Sequence, residues 1–350
     1  MASKRFEELD FVKAVSIFLV VYCHHQVIPA DSFVGNLLML LAWGAVPCFF
    51  LCSGYVMLNR EEAPEKALRR VLKTYSTVII WKALYLMFYA AFRDVELGPV
   101  RVIRYLLLFD SLDGVNTGHF WFMNAYIMTL LLLPVLTPLF ARQNLKGMIW
   151  ATGLCFAANQ LVYSGNFLIG LLANRFGVTP FTLASLESAL PFTGGCSYIL
   201  GFFLLGSVLR LLREQGRREP MWGSIAALVL GLSGLLYIKH CQTGSWLWAG
   251  KFLSGGYRFS STALMAYGMF SLLMRVRGKA ARWLGTIVGR STMGIFYLHL
   301  PLLYLLATFV YPLLPAALWV GIAKTLLVVT SATALTHFGK KLPILRKLLG

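Results

Sequence analysis

Between residues 11 and 338 the sequence is a succession of apolar runs, each close to the length of a membrane-crossing helix: 11–28, 35–58, 74–92, 120–140, 147–163, 193–213, 222–239, 257–274, 291–311 and 316–338. A hydrocarbon layer about 30 Å thick is crossed by about 20 helical residues rising 1.5 Å each. Inside lipid every backbone polar group must find its partner within the chain, so such runs are helices. A membrane barrel would show segments of about ten residues alternating polar and apolar, and no such pattern is present. The expected fold class is therefore all-α, a polytopic ten-helix transmembrane bundle. The sequence is 58% hydrophobic and only 13% charged, against about 45–50% and 25% in soluble domains. That excludes a soluble enzyme, a disordered chain and a disulfide scaffold. Residues 1–350 read as one transmembrane domain without a separate soluble domain. Asn159 and Gln160 make 147–163 the weakest run. Segments 93–119 and 164–192 are too short to fold alone but long enough for a lid or a re-entrant stretch. The first run carries His24 and His25 and no small-residue cleavage site, so it reads as a span and not a removable signal.

The net charge is +18. In a soluble chain this would suggest a nucleic-acid partner; here the basic residues sit in short loops, and no nucleic acid is expected. They concentrate in alternate segments: Lys4 and Arg5, Arg60 to Lys73, Arg142 and Lys146, Arg210 to Arg218, Arg275 to Arg290, and Lys340 to Lys347. The intervening segments carry fewer: Arg93, Arg101, Arg104, Arg175, Lys239, Lys251 and Arg258. The positive-inside rule then predicts both termini in the cytoplasm. The six cysteines show no CxxC pair and no zinc spacing, and behave as small hydrophobes inside apolar runs.

In a membrane the informative residues are the polar ones, because burying them is costly. In LDFVKAVSIFLVVYCHH, Asp10 and Lys13 share a helix face, and eleven steps of about 100° return His24 to it, about 16 Å from Lys13. These are either interfacial anchors with a satisfied core histidine, or a functional stripe. Pro47, Ser53, Gly54 and Tyr55 crowd the end of the second run, where small residues permit close helix packing. Arg70 and Lys73 share a face at the next boundary, as membrane anchors or as a site for a phosphate-bearing molecule. His119 and Trp121 open the fourth run; a Trp there is usually an interfacial belt residue. His299 lies mid-span, before a proline. Lys82 and Lys324, also mid-span, require partners within the bundle. Three histidines in three spans invite a metal, but no HExxH spacing is present and no metal is expected; nor is there a P-loop or a GxSxG turn.

Taken in order, these residues resemble the acyltransferase family 3 membrane proteins, bacterial enzymes that O-acylate surface polysaccharides, peptidoglycan, lipopolysaccharide or related glycans. Leu9, Asp10, Lys13, Ala14 and His24 are similar to the family's first-helix motif. Val46-Pro47-Cys48-Phe49-Phe50 followed by Ser53-Gly54-Tyr55 is similar to its second. Arg70 and Lys73, then His119, Trp121 and Phe122, then Ser291, Gly294, Ile295, Phe296, Tyr297 and His299 follow in the family's order. The chain departs at Lys13, where the family has arginine. The charge is kept, and the planar fork that grips a carboxylate or phosphate in two bonds is lost.

The resemblance implies a multi-pass enzyme of the inner (cytoplasmic) membrane. It would move an acyl group, acetyl foremost, from cytoplasmic acyl-coenzyme A as co-substrate to a hydroxyl of a cell-envelope glycan or lipid-linked precursor. It implies His24 as general base, with Asp10 and Lys13 setting the polarity beside it. Arg70, Lys73, Ser53 and Tyr55 would bind the donor. His119, Trp121, Tyr297 and His299 would hold the acceptor or support the reacting groups, Tyr55, Tyr297 and His299 being candidate oxyanion donors. Membrane lipid, the glycan acceptor and glycan-synthesis proteins are the expected partners. The rival from another class is a polysaccharide exporter or small-solute transporter, which polar stripes and mid-span lysines also suit.

Overall fold

The computed structural model describes residues 5–24, 32–58, 63–95, 97–108, 110–141, 144–184, 197–217, 219–247, 253–315 and 317–349. His25 and the loop cations Lys4, Arg60, Arg142, Arg218 and Lys251 lie outside them. The described residues form helices and no strand: α1 Glu7–Cys23, α2 Phe33–Ala42, α3 Ala45–Met57, α4 Pro64–Ala90, α5 Pro99–Leu107, α6 Trp121–Ala141, α7 Leu145–Phe156, α8 Val162–Phe176, α9 Tyr198–Glu214, α10 Met221–Thr243, α11 Ser260–Leu273, α12 Lys279–Ile287, α13 Thr292–Phe309, α14 Leu318–Gly339 and α15 Pro343–Leu349. Seven helical stretches among them are long and apolar enough to cross a membrane: Phe33–Met57, Pro64–Ala90, Gly118–Pro138, Leu145–Phe176, Met221–Thr243, Lys279–Phe309 and Leu318–Gly339. The other three predicted crossings fall on α1, α9 and α11, of 17, 17 and 14 residues.

Helices that meet in lipid gain little from excluding water and depend on close approach. Two crossings in the bundle are made by glycines that leave no room for a side chain. At α3–α9, a Cβ on Gly54 would lie 1.7 Å from the carbonyl oxygen of Phe203, and one on Gly206 would lie 2.1 Å from that of Leu51. At α10–α11, Gly231 meets the backbone of Met265 and Gly268 that of Leu228. Gly54 of the Ser53-Gly54 pair is thus explained by packing. Helix α1 is the hub: Val12, Ala14, Ile17 and Val21 are buried in the main core with Phe50 and Leu51 of α3 and Ala332 of α14. Large apolar residues such as Leu131, Trp150, Trp222, Leu230, Phe309 and Leu335 face outward, as lipid contact requires.

Asn159 and Gln160 do not end their span. They sit in a π-helical turn, Ala157–Leu161, and both are buried. Asn159 accepts from the Ser197 hydroxyl at 2.8 Å, and Gln160 donates to the Tyr198 carbonyl at 2.9 Å, pegging α9 to this turn. The helix runs on to Phe176, well past the expected end near 163. The segment expected to form a lid or re-entrant stretch, 93–119, contains α5, which folds back along α4. The Tyr75 hydroxyl donates to the Leu107 carbonyl at 2.5 Å, about 22 Å below the end of α4 at Ala90. Lys82 holds this segment: its ammonium donates to the Tyr105 carbonyl at 2.5 Å in the last turn of α5 and to the Asp110 carbonyl at 3.4 Å. A cation on otherwise orphaned C-terminal carbonyls is electrostatically favoured. Lys324 instead lies 4.2 Å over the ring of Tyr311.

Candidate functional site

A cavity of about 680 Å³ runs through the bundle along α1, from Lys13 to His24. Toward the Lys13 end it is lined by Arg70 and Lys73, Lys347 also lines it, and no carboxylate does so among the described residues. At the other end it is lined by His24, His119, Trp121, Trp43 and Tyr257. Phe49, Phe122 and Phe296 form the apolar wall between. Helix α1 delivers Lys13 and His24 to one cavity, about 16 Å apart along the helix axis.

Asp10 does not line the cavity. Its carboxylate is 8% exposed and gathers three cations: Arg5 at 2.8 Å, Arg290 at 3.6 Å and Lys13 at 3.8 Å. A buried carboxylate needs this compensation. The same turn of α1 is pressed onto the α12–α13 junction, where a Cβ on Gly289 would lie 1.9 Å from the Asp10 carbonyl oxygen. Glu7 pairs with Arg282 at 3.0 Å, and Glu8 with Arg277, along the same edge. Asp10 therefore ties α1 to the bundle and places Lys13.

The histidines from three distant parts of the chain converge. The ring of His299 lies 5.2 Å from that of His24 and 5.1 Å from that of His119. Their hydrogen bonds settle two tautomers. Pro301 has no N–H, so the carbonyl of Tyr297, four residues earlier, lacks its helical donor. The Tyr85 hydroxyl takes that place at 2.7 Å. Having given its one proton, Tyr85 can only accept from His119, whose Nε2 is 3.3 Å away. Nε2 thus carries the proton, and the buried Nδ1 of His119, with no hydrogen-bond partner among the described residues, presents a lone pair. His299 donates from Nδ1 to the Phe296 carbonyl at 2.7 Å, which leaves its Nε2 the basic nitrogen. His299 is fully buried behind the cavity wall and does not line it.

Of the remaining expected residues, Trp121, Ser53 and Tyr297 line the cavity. The Ser53 hydroxyl donates back to the Phe49 carbonyl at 2.8 Å. Tyr297 stacks on Trp81 at 4.8 Å. Tyr55 is turned away, its ring 5.2 Å from Phe6, and lines a second cavity of about 210 Å³ with Arg213, Arg275 and Arg277. Sequence reasoning passed over Tyr85, Trp43, Tyr257, Arg290 and Lys347. Only Tyr85 had a usable signal, since Pro301 announces an orphan carbonyl somewhere in the bundle. Trp43 and Tyr257 meet edge-on at 4.5 Å, and Tyr257 is 5.2 Å from Trp121. A Cβ on Gly256 would sit 2.5 Å from the indole of Trp43, so this contact needs glycine.

The acyltransferase family 3 model, described as an acyltransferase domain, matches residues 6–337, from the first turn of the hub helix to the end of α14. No curated protein and no solved structure matches the chain. With all the cavity-lining residues before Lys347 inside a match of this extent, the chain belongs to acyltransferase family 3: it is a multi-pass membrane acyltransferase, acting on groups other than aminoacyl groups.

Proposed function

We propose that the protein transfers an acyl group, acetyl foremost, from cytoplasmic acyl-coenzyme A to a hydroxyl of a cell-envelope glycan or its lipid-linked precursor in the inner membrane. The observation that carries this reading is the single cavity with cations and no carboxylate at one end and histidines at the other. Arg70, Lys73 and Lys347 line this cavity with no carboxylate among its described lining residues, and Lys13 lines it with its charge shared with Asp10; this balance favours an anionic occupant. Arg70 and Lys73 offer charge-assisted hydrogen bonds to phosphates. The apolar wall suits the uncharged arm and thioester of such a donor, and Trp43, Trp121 and Tyr257 offer flat faces for an acceptor sugar. The loop charges favour ten crossings with both termini cytoplasmic, the phosphate end opening to that side.

In the proposed reaction the acceptor hydroxyl oxygen attacks the thioester carbonyl carbon. His24 takes the hydroxyl proton, and the carbon–sulfur bond breaks. The proton then passes from His24 to the departing thiolate, giving the ester and free coenzyme A. A neutral imidazole has one lone pair to accept the hydroxyl proton and can return that proton to the leaving sulfur. His119, held by Tyr85 with Nδ1 unprotonated, is placed to accept a hydrogen bond from the acceptor and orient it.

The test is equilibrium binding of acetyl-coenzyme A to the full chain in nanodiscs. Arg70→Ala combined with Lys73→Ala is expected to weaken it by at least about tenfold, as loss of charge-assisted hydrogen bonds does. Unchanged affinity would remove both residues from the donor site. Tyr85→Phe keeps the ring and removes the hydroxyl that orients His119. It is expected to slow acyl transfer about tenfold with donor affinity unchanged; equal rates would rule out this positioning role.

A further inference from the structure

We propose that the C-terminal helix α15 is part of the donor site and that Lys347 binds the donor's phosphates together with Arg70 and Lys73. The inference rests on the donor reading above but not on the family, whose match ends at residue 337.

The helix is docked, and the docking aims it. After α14 the chain turns sharply, and the Lys340 ammonium donates to the Arg290 carbonyl at 3.0 Å. Leu349 then returns to the main core, buried, and approaches Gly339, where a Cβ would lie 2.5 Å from its Cδ1. The Trp81 indole N–H donates to the Leu348 carbonyl at 3.1 Å. That carbonyl belongs to the last turn of α15, which has no helical donor of its own. Trp81 is itself held nearly parallel to the ring of Tyr297, at an angle of 4°. With Leu349 and the Leu348 carbonyl fixed, Lys347 and Leu348 line the same cavity as Lys13, Arg70 and Lys73, within which a lysine stem can carry its ammonium toward them. Lys347 is exposed, so its ammonium is free to swing on its stem to an incoming anion. Lys341, six residues earlier, is also exposed but lies 4.9 Å over the ring of Phe338 and does not line the cavity. Two lysines of one short tail are thus distinguished by geometry alone.

The experiment uses the full chain in nanodiscs, with acetyl-coenzyme A as the probe, measuring equilibrium binding and initial rates at low and high salt. Lys347→Ala is expected to weaken binding about fivefold at low salt and less at high salt, with the loss in KM rather than kcat. Lys347→Arg, which keeps the charge, restores binding, and Lys341→Ala matches the wild type. Wild-type affinity in Lys347→Ala overturns the inference, as does an equal loss in Lys341→Ala, which would mark a general effect of net charge. If Arg70→Ala weakens binding and Lys347→Ala does not, only this inference fails. If the wild type binds no acetyl-coenzyme A, the donor reading fails with it.

Discussion

His24→Ala is expected to lower acyl transfer by about 10²–10⁴-fold, the usual effect of removing a general base. The expectation rests on position. His24 lines the cavity, its ring lies 5.2 Å from that of His299, and the same helix face carries Lys13 to the cationic end. The measurement is incorporation of labelled acyl groups into membrane-associated glycan by cells expressing each variant, with protein amount in the membrane checked. Donor binding should survive the change, because Arg70 and Lys73 belong to α4 and are remote from His24. Lys13→Arg should be tolerated, since the charge beside Asp10 is kept. Wild-type incorporation by His24→Ala would sink the mechanism. If the wild type transferred no acyl group while export of a glycan or solute depended on the protein, the transporter alternative would take its place.

Gly54→Ala is expected to damage the fold itself. The added Cβ would lie 1.7 Å from the Phe203 carbonyl oxygen and 2.7 Å from its carbonyl carbon, and backbone cannot turn aside as a flexible side chain can. Helices α3 and α9 would have to separate. Their contact is locked a second time where Gly206 meets Leu51, so the shift would spread along the whole crossing. Overpacking of this kind costs about 1–3 kcal/mol or more, a large share of the margin of a typical domain. The check is the thermal unfolding midpoint in detergent, with the yield of folded protein. Gly153→Ala on α7 is the comparison, because a Cβ there meets nothing within 4 Å. Equal midpoints for Gly54→Ala and the wild type would show that the crossing is looser than this geometry.

The Gly54→Ala result bears on how packing and donor binding divide Ser53, Gly54 and Tyr55. The structure gives Gly54 to packing, turns Tyr55 toward Phe6 and Arg213, and leaves only Ser53 on the cavity. One short motif thus has its residues pointing three ways around a helix. Neighbours in sequence differ by about 100° in direction, so a shared motif does not imply a shared site.

Much of the bundle was legible before any coordinates. Apolar runs of the right length report helices in lipid because backbone hydrogen bonding allows little else there. Likewise Lys13 and His24 reach one cavity because they lie on one helix, whose period is set by local geometry. What local geometry cannot supply is the partner. That the orphan carbonyl behind Pro301 is filled by Tyr85, and so fixes the proton on His119, depends on three segments meeting. So does the gathering of Arg5, Lys13 and Arg290 on Asp10, and the return of Lys347 to the cavity. Helical period is a property of neighbours along the chain, and the sequence determined it. Tautomers, ion-pair networks and cavity walls are properties of side chains brought within a few ångströms from remote positions, and only the packed tertiary structure decided those.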